Sequence, residues 1–252
     1  PIAPYLVWAD RRNGEYDLWG SRTQAGVALD DSSVVVLAGA QEHPSVASQD
    51  MSVLVVWADD RAQDDLHDVY AAKFTAPAMT TVGVSHLVTV FPAEQRDLRV
   101  AVGHGRTLAV WEDTRTAETG VDVYGSFLTA DGGAVFAIAD EAGLQGQPAV
   151  AASPFDWLVV FADGAPRRIR GHKLSPAGGV TTTGFIASAA VPIGTTQSQP
   201  AVAWDGTTYF IPYVEVTGTQ PSRVFAARYD ARSNQLVSTV AVGGNGGAAF
   251  GP

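Results

Sequence analysis

Apolar residues in this chain gather in short runs that return at a nearly constant interval. The clearest run covers residues 53–59 and reads Val-Leu-Val-Val-Trp-Ala-Asp. Five such runs occur, and the aromatic residues at their centres are 49, 54, 50 and 52 residues apart: Trp8, Trp57, Trp111, Phe161 and Tyr213. A fixed period of this size indicates a repeat architecture.

Each repeat predicts four β-strands, and the second repeat shows them best. A short segment at residues 44–47 precedes the continuous apolar run at 53–58, which is typical of a strand covered on both faces. Residues 68–74 alternate and are rich in β-forming side chains, and residues 86–91 form a fourth segment of this kind. Since no segment has a sustained helical period, the pattern predicts an antiparallel meander of four strands.

Five such sheets around one axis make an all-β, five-bladed β-propeller. In repeats two to five, a first-strand Val precedes the aromatic residue by 11 positions, as Val46 precedes Trp57. Repeat one has too few residues before Trp8 for this strand, but Phe250 precedes Trp8 by ten positions if the chain ends are joined. We therefore expect one domain over residues 1–252, closed by pairing of the chain termini, which removes exposed sheet edges.

The segment from the second to the third strand carries a resemblance to a known family. Residues 8–19 read Trp-Ala-Asp-Arg-Arg-Asn-Gly-Glu-Tyr-Asp-Leu-Trp, and residues 57–70 and 111–124 follow the same outline. This unit resembles the WD-like repeats of TolB-type propellers. The resemblance implies a propeller with a binding role and carries over no catalytic residue. Propellers of that type generally have six blades, so five repeats are a departure from it.

An acid and an arginine recur after the aromatic residue of the first three repeats. An acid that ends one strand can hold an arginine of the following turn by bidentate hydrogen bonds. Because a single functional site would not need copies in several blades, we expect a structural role for this set: Asp10, Arg12, Asp59, Arg61, Asp113 and Arg115.

A side-chain amide precedes the innermost strand of every repeat by the same distance. Counted from the first-strand apolar residue, the five amides are Gln41, Gln95, Gln145, Gln197 and Asn245. We expect them to form one ring on one face of the propeller. Amides both donate and accept hydrogen bonds, so the ring could bind a neutral polar ligand or latch neighbouring blades together.

Charge and composition exclude several classes of partner. The net charge of −10 argues against nucleic-acid binding, which needs a basic surface. No stretch approaches the ~20 apolar residues of a membrane span, so we expect no membrane insertion. The chain lacks cysteine and begins at Pro1, which fits an exported bacterial protein without its leader or a domain cut from a larger one. We expect an extracellular or periplasmic monomer.

Motifs for catalysis, metals and cofactors are missing from the sequence. The five histidines are scattered, and neither a P-loop nor a nucleophile elbow is found. Glu42 and Asp97 lie near first strands but have no counterpart in the other repeats, and the acidic turn around Asp60 lacks calcium-loop spacing. We therefore expect no catalytic residue, no metal and no cofactor.

The leading expectation for function is a non-catalytic binding or scaffolding propeller, with a carbohydrate or a protein as its partner at the ring of amides. One alternative is a glycoside-acting enzyme with two carboxylates in a central cleft. The other is a purely structural domain of a larger surface protein.

Overall fold

The computed structural model describes residues 4–49, 52–75, 80–81, 85–89, 91–129, 133–186 and 191–243. All regular secondary structure in these ranges is β-strand. These ranges accordingly contain no helix that could cross a membrane.

The strands group into five antiparallel sheets, which we call blades one to five in chain order. Blade one contains β1 (Tyr5–Asp10), β2 (Asp17–Gln24), β3 (Val27–Ala28) and β4 (Ser32–Val35). Blade two contains β5 (Gln41–Gln49), β6 (Ser52–Asp59), β7 (Asp68–Thr75), β8 (Thr80–Thr81) and β9 (His86–Leu87). Blade three contains β10 (Gln95–Gly103), β11 (Arg106–Asp113), β12 (Asp122–Phe127) and β13 (Val135–Ala139). Blade four contains β14 (Gln145–Ala152), β15 (Trp157–Asp163), β16 (Arg168–Leu174) and β17 (Val180–Ile186). Blade five contains β18 (Thr195–Ser198), β19 (Ala203–Trp204), β20 (Tyr209–Thr217), β21 (Arg223–Asp230) and β22 (Gln235–Gly243).

Neighbouring strands of each blade follow one another in sequence, as a meander requires. Blades three and four have the plain order of four strands, and in blade five β18 and β19 together form the first strand by pairing with β20. Equivalent registers recur, since Trp57 faces Tyr70 in blade two and Trp111 faces Tyr124 in blade three. The expected all-β, five-bladed propeller is confirmed.

The hydrophobic core lies between blades rather than inside one sheet. Along β6, Val55 and Trp57 pack toward blade one, whereas Val56 and Ala58 pack toward blade three. Alternate residues of a strand point to opposite faces of the sheet. Because both faces are covered, the central residues of the second strands in blades two to four are apolar and show no polar alternation.

Four of the five aromatic anchors are fully buried: Trp57, Trp111, Phe161 and Tyr213. Trp8 is only half-buried.

Blade one differs from the others along β1. Leu6 is 55% exposed, whereas its counterpart Val55 in β6 is completely buried. Among the described strands, β1 pairs with β2 alone, so β1 is the counterpart of the second strands of the other blades. The expected closing strand near Phe250 lies outside the described residues, and closure of the ring by the termini stays a prediction.

Candidate functional site

In blades one to three, the acid that ends the second strand holds an arginine of the following turn. The Asp113 carboxylate accepts hydrogen bonds from Trp111 Nε1 at 2.9 Å, from the main-chain nitrogen of Arg115 at 2.9 Å and from Arg115 Nη2 at 2.5 Å. The Arg115 guanidinium carbon lies 4.2 Å from the centre of the Tyr124 ring on the third strand. Each such unit therefore ties the second strand, the turn and the third strand together.

The same unit occurs in blades one and two. Asp10 is 2.6 Å from Arg12, and Asp59 is 2.6 Å from Arg61. Hydrogen bonds from Arg12 lower the pKa of Asp10 to about 2. The Asp59 side chain is fully buried and that of Asp10 is 26% exposed. These contacts support the structural role expected for the six repeated residues.

The amides Gln41, Gln95, Gln145 and Gln197 lie at the starts of the inner strands and are fully buried. Asn245, the fifth member of the expected ring, lies outside the described residues. Complete burial keeps the four described amides away from a dissolved ligand.

The partners of these amides depend on the aromatic anchor of the blade. In blade two, Gln41 Nε2 donates to the carbonyl oxygen of Gly39 at 2.7 Å, since the indole nitrogen of the anchor already donates to the strand acid. Blade four has Phe161 instead of a Trp, and there Gln145 Nε2 donates to Asp163 Oδ1 at 3.0 Å. Blade five repeats the blade-four arrangement. These two bonds lie within one blade, whereas Gln197 Oε1 accepts a hydrogen bond from the main-chain nitrogen of Ile169 in blade four at 3.1 Å. That contact between blades supports the latch alternative, and ligand binding by these amides stays a prediction.

Two positions after each buried amide lies a polar residue with left-handed backbone. We call this set the axial residues: His43 (φ 50°), Asp97 (φ 50°), Gln147 (φ 55°) and Gln199 (φ 51°). Left-handed backbone is uncommon outside glycine and is found disproportionately at functional sites.

Bulges in the inner strands produce this backbone. The pairing of β5, β10 and β14 with their second strands shifts register at the axial residues. Inner strands of successive blades contact one another, and the main-chain nitrogen of Gln199 donates to Gln147 Oε1 at 2.8 Å. The axial residues therefore face one another at one end of the propeller axis. Their constant offset of two from the amides is the sequence signal that could have found them.

Two carboxylates of different blades meet at one of these axial residues. His43 Nδ1 lies 3.4 Å from Asp97 Oδ1, and His43 Nε2 lies 4.0 Å from Glu42 Oε2. The three side chains are partly exposed, at 42%, 32% and 26% for His43, Asp97 and Glu42. In the sequence, Glu42 and Asp97 have no counterpart in the other repeats, and we expected no catalytic residue there. The structure nevertheless brings the two acids to either side of one imidazole ring.

Each acid of this pair also lines a cavity. Glu42 lines a cavity of about 420 Å³ between blades one and two, together with Glu15, Asp60, Asp65 and Arg11. We call this the acidic cavity.

Asp97 lines a second cavity of about 200 Å³, together with Arg96, Glu112, Gln147 and Arg167. We call this the arginine cavity. The Glu42–His43–Asp97 group thus lies between two cavities of different charge.

A second histidine, His67, lies near Glu42 and Asp60. His67 Nδ1 is 3.1 Å from Glu94 Oε1, and this hydrogen bond is the main cause that raises the pKa of His67. Burial acts to raise the pKa of Glu94, but the hydrogen bonds from His67 outweigh it and lower that pKa. The electrostatic interactions of His67 with Glu42 and Asp60 act in the same direction as its bond to Glu94.

The acidic turn after β6 holds its carboxylates by hydrogen bonds within the protein. Asp59 binds Arg61, and Asp60 Oδ1 accepts a hydrogen bond from the main-chain nitrogen of Asp64 at 3.2 Å. Across the described ranges, no group of three or more histidine and acidic side chains is arranged to hold a metal ion.

No protein-family model matches the chain, and no curated protein sequence matches it. Solved structures do share its fold. An alpha-L-arabinofuranosidase from Lactobacillus brevis is 11% identical, with a TM-score of 0.56 over 91% of this chain and 92% of that chain. A thermostable family-43 glycoside hydrolase is 13% identical, with a TM-score of 0.55 over 98% of this chain and 91% of the other.

An exo-beta-1,3-galactanase from Phanerochaete chrysosporium is 7% identical, with a TM-score of 0.56 over 95% of this chain and 54% of its own. At these identities the likeness concerns the fold, and the fold is that of the five-bladed β-propellers. The expected propeller is therefore confirmed, whereas the finer TolB-type resemblance is not.

These neighbours also correct the leading expectation for function. We expected a non-catalytic propeller that binds or scaffolds, whereas the arabinofuranosidase, the family-43 hydrolase and the galactanase all act on glycosides. That finding favours the alternative of a glycoside-acting enzyme over the expected non-catalytic propeller.

Proposed function

We propose that this chain is a glycoside-acting enzyme and that Glu42 and Asp97 supply its two reacting carboxylates. The observation that carries the proposal is their position on either side of His43, at the axial end of the inner strands and between two cavities. The fold that the chain shares with an arabinofuranosidase and a family-43 glycoside hydrolase supports the same reaction class.

Glycoside hydrolysis needs one carboxylic acid to protonate the leaving oxygen and one carboxylate to activate water or attack the sugar. The distances of 3.4 and 4.0 Å to one imidazole place the two carboxylates within about 10 Å of each other. This is the scale of the ~5–9.5 Å separations that glycosidases use.

We assign the roles from the surroundings of each acid. His43 lies closer to Asp97 than to Glu42, so its ring can donate a hydrogen bond that fixes the Asp97 carboxylate as base or nucleophile. Glu42 borders the larger cavity, where a leaving saccharide has room, and it acts as the acid. His43 touches both carboxylates and positions them.

Hydrolysis assays on chromogenic arabinofuranosides, galactosides, glucuronides and galacturonides, and on β-1,3-linked galactotriose, test the proposal. General acid–base groups contribute about 10²–10⁴-fold to rate, so we expect Glu42→Gln and Asp97→Asn each to lower kcat by at least ~100-fold. Glu118→Gln alters an exposed acid of a loop in blade three and serves as the matched control with unchanged rate. An inactive wild-type protein on the whole panel, or active Glu42→Gln and Asp97→Asn variants, would contradict the proposal.

The same proposal includes a carbohydrate partner, one domain over residues 1–252 and a place outside the cytoplasm. The lack of cysteine is compatible with export. The proposal also keeps the resemblance of residues 8–19 to the WD-like repeats of TolB-type propellers. Secretion of the natural protein into culture medium or periplasm, followed by immunoblotting, tests the location.

A further inference from the structure

Within the described residues, the arginine cavity contains a cation that lacks a counter-ion. Among the described residues, the hydrogen bonds of Arg167 involve its main-chain oxygen. This oxygen accepts one from Arg168 Nη1 at 3.1 Å and one from the main-chain nitrogen of Gln197 at 3.0 Å. In the described part of the chain, the guanidinium of Arg167 forms no ion pair.

The acids of this cavity are already engaged. Glu112 is buried, lies 2.9 Å from Arg96 Nε and accepts a hydrogen bond from the main-chain nitrogen of Gln147 at 2.7 Å. Asp97 faces His43 at 3.4 Å. Arg167 is therefore the charged group of this lining whose side chain has neither an ion-pair partner nor an imidazole partner among the described residues.

The rest of the lining suits one sugar ring. Gln147 uses Oε1 to accept from Gln199, which leaves its amide NH₂ group to donate to a hydroxyl. Val121 and the 44% exposed Leu144 give an apolar surface for the C–H face of a ring. A volume of about 200 Å³ is below the ~300–1,000 Å³ of sites for larger ligands, so it fits a single residue of a saccharide.

We propose that the arginine cavity binds the carboxylate-bearing sugar of an acidic glycoside, a uronic acid residue, with Arg167 as the group that recognises the carboxylate. A guanidinium holds a carboxylate through two parallel hydrogen bonds, which a neutral sugar cannot replace. The acidic cavity on the other side of His43 repels a second carboxylate, so the uronic acid binds at Arg167 and the neutral part of the substrate at Glu42. This inference names the substrate class of the proposed active site and in that respect rests on the proposed function.

Binding of free monosaccharides tests the inference without any hydrolysis. We would titrate the wild-type protein at low ionic strength with galacturonate and galactose, and with glucuronate and glucose, by calorimetry or NMR. A hydrogen-bonded charge contributes enough for a ~10–100-fold difference in Kd, so each uronate should bind at least tenfold more tightly than its neutral counterpart.

Arg167→Gln should abolish this preference, and Arg167→Lys should restore part of it, because charge returns without the bidentate geometry. Arg223→Gln removes an exposed arginine of blade five and should leave the preference unchanged. Circular dichroism of each variant verifies its folding.

Equal Kd values for uronates and neutral sugars, or a preference that survives Arg167→Gln, would overturn the inference. Acetate that binds as tightly as the uronates would overturn it too, since the cavity would then recognise an anion and no sugar. If uronates bind but the protein hydrolyses no glycoside of the panel, the proposed function alone is refuted. If the protein hydrolyses glycosides but shows no preference for uronates, this inference alone is refuted.

Discussion

Removal of the Asp113 carboxylate should destabilise the fold far more than removal of its counterpart Asp10. Asp113 is completely buried and accepts four hydrogen bonds, one from Trp111 Nε1 and three from Arg115. Asp113→Ala leaves a buried indole N–H without its acceptor and an arginine, 16% exposed, without its counter-ion. Breaking one partner of a buried ion pair costs about 3–5 kcal/mol, and we expect a loss in this range.

Urea unfolding followed by tryptophan fluorescence or far-UV circular dichroism measures this loss as a change in midpoint at constant m value. A domain of typical stability, ~5–15 kcal/mol, would lose about a fifth of it or more. Asp10→Ala is the matched control, since the same unit in blade one is open to solvent and exposed ion pairs contribute little. Equal losses for Asp10→Ala and Asp113→Ala, or a loss below about 1 kcal/mol for Asp113→Ala, would show that these units do not hold the blades as argued.

Three further predictions concern closure, the buried amides and pH. Deletion of residues 247–252 should lower Tm markedly if the chain termini close blade one, and an unchanged Tm would reject closure. Gln145→Ala should cost on the order of 1 kcal/mol in urea unfolding through its lost bond to Asp163, with sugar binding unchanged; weaker binding at full stability would favour the ligand ring instead. The pKa of His67 is raised and that of Glu94 is lowered. The pair therefore stabilises the fold fully between the unfolded Glu pKa of ~4.3 and the unfolded His pKa of ~6.5. This stabilisation is lost as pH rises through the folded pKa of His67 or falls through the folded pKa of Glu94. His67→Gln should therefore flatten the dependence of unfolding free energy on pH at both edges of this window, and an unaltered pH profile would contradict the pairing.

The amino-acid sequence determined the propeller because its evidence is local and repeated. A strand buried on both faces needs a continuous apolar run, and five such runs around Trp57 and its equivalents leave little choice of architecture. The acid–arginine units were also predictable, since Asp113 and Arg115 are two residues apart and meet through a turn of the chain itself.

The sequence predicted a ring of amides as the candidate site, whereas the structure brings other residues to the axis. Constant spacing identified Gln41 and its equivalents but could not show which way an inner strand turns them. They point into the protein, and the residues two positions later face the axis, because a bulge inserts a left-handed residue such as His43 or Asp97. Left-handed backbone at residues other than glycine has no clear signature in a hydrophobic pattern.

The pairing of Glu42 with Asp97 was decided by the tertiary structure alone. The two acids lie about one repeat apart in the sequence, and neither belongs to a recurring motif. The rotation from one blade to the next brings them to the same imidazole, and the cavities that border them exist only between packed blades. Repetition in the sequence defines a symmetric scaffold, whereas the chemistry lies in side chains that break this symmetry and meet only when the inner strands come together around the axis.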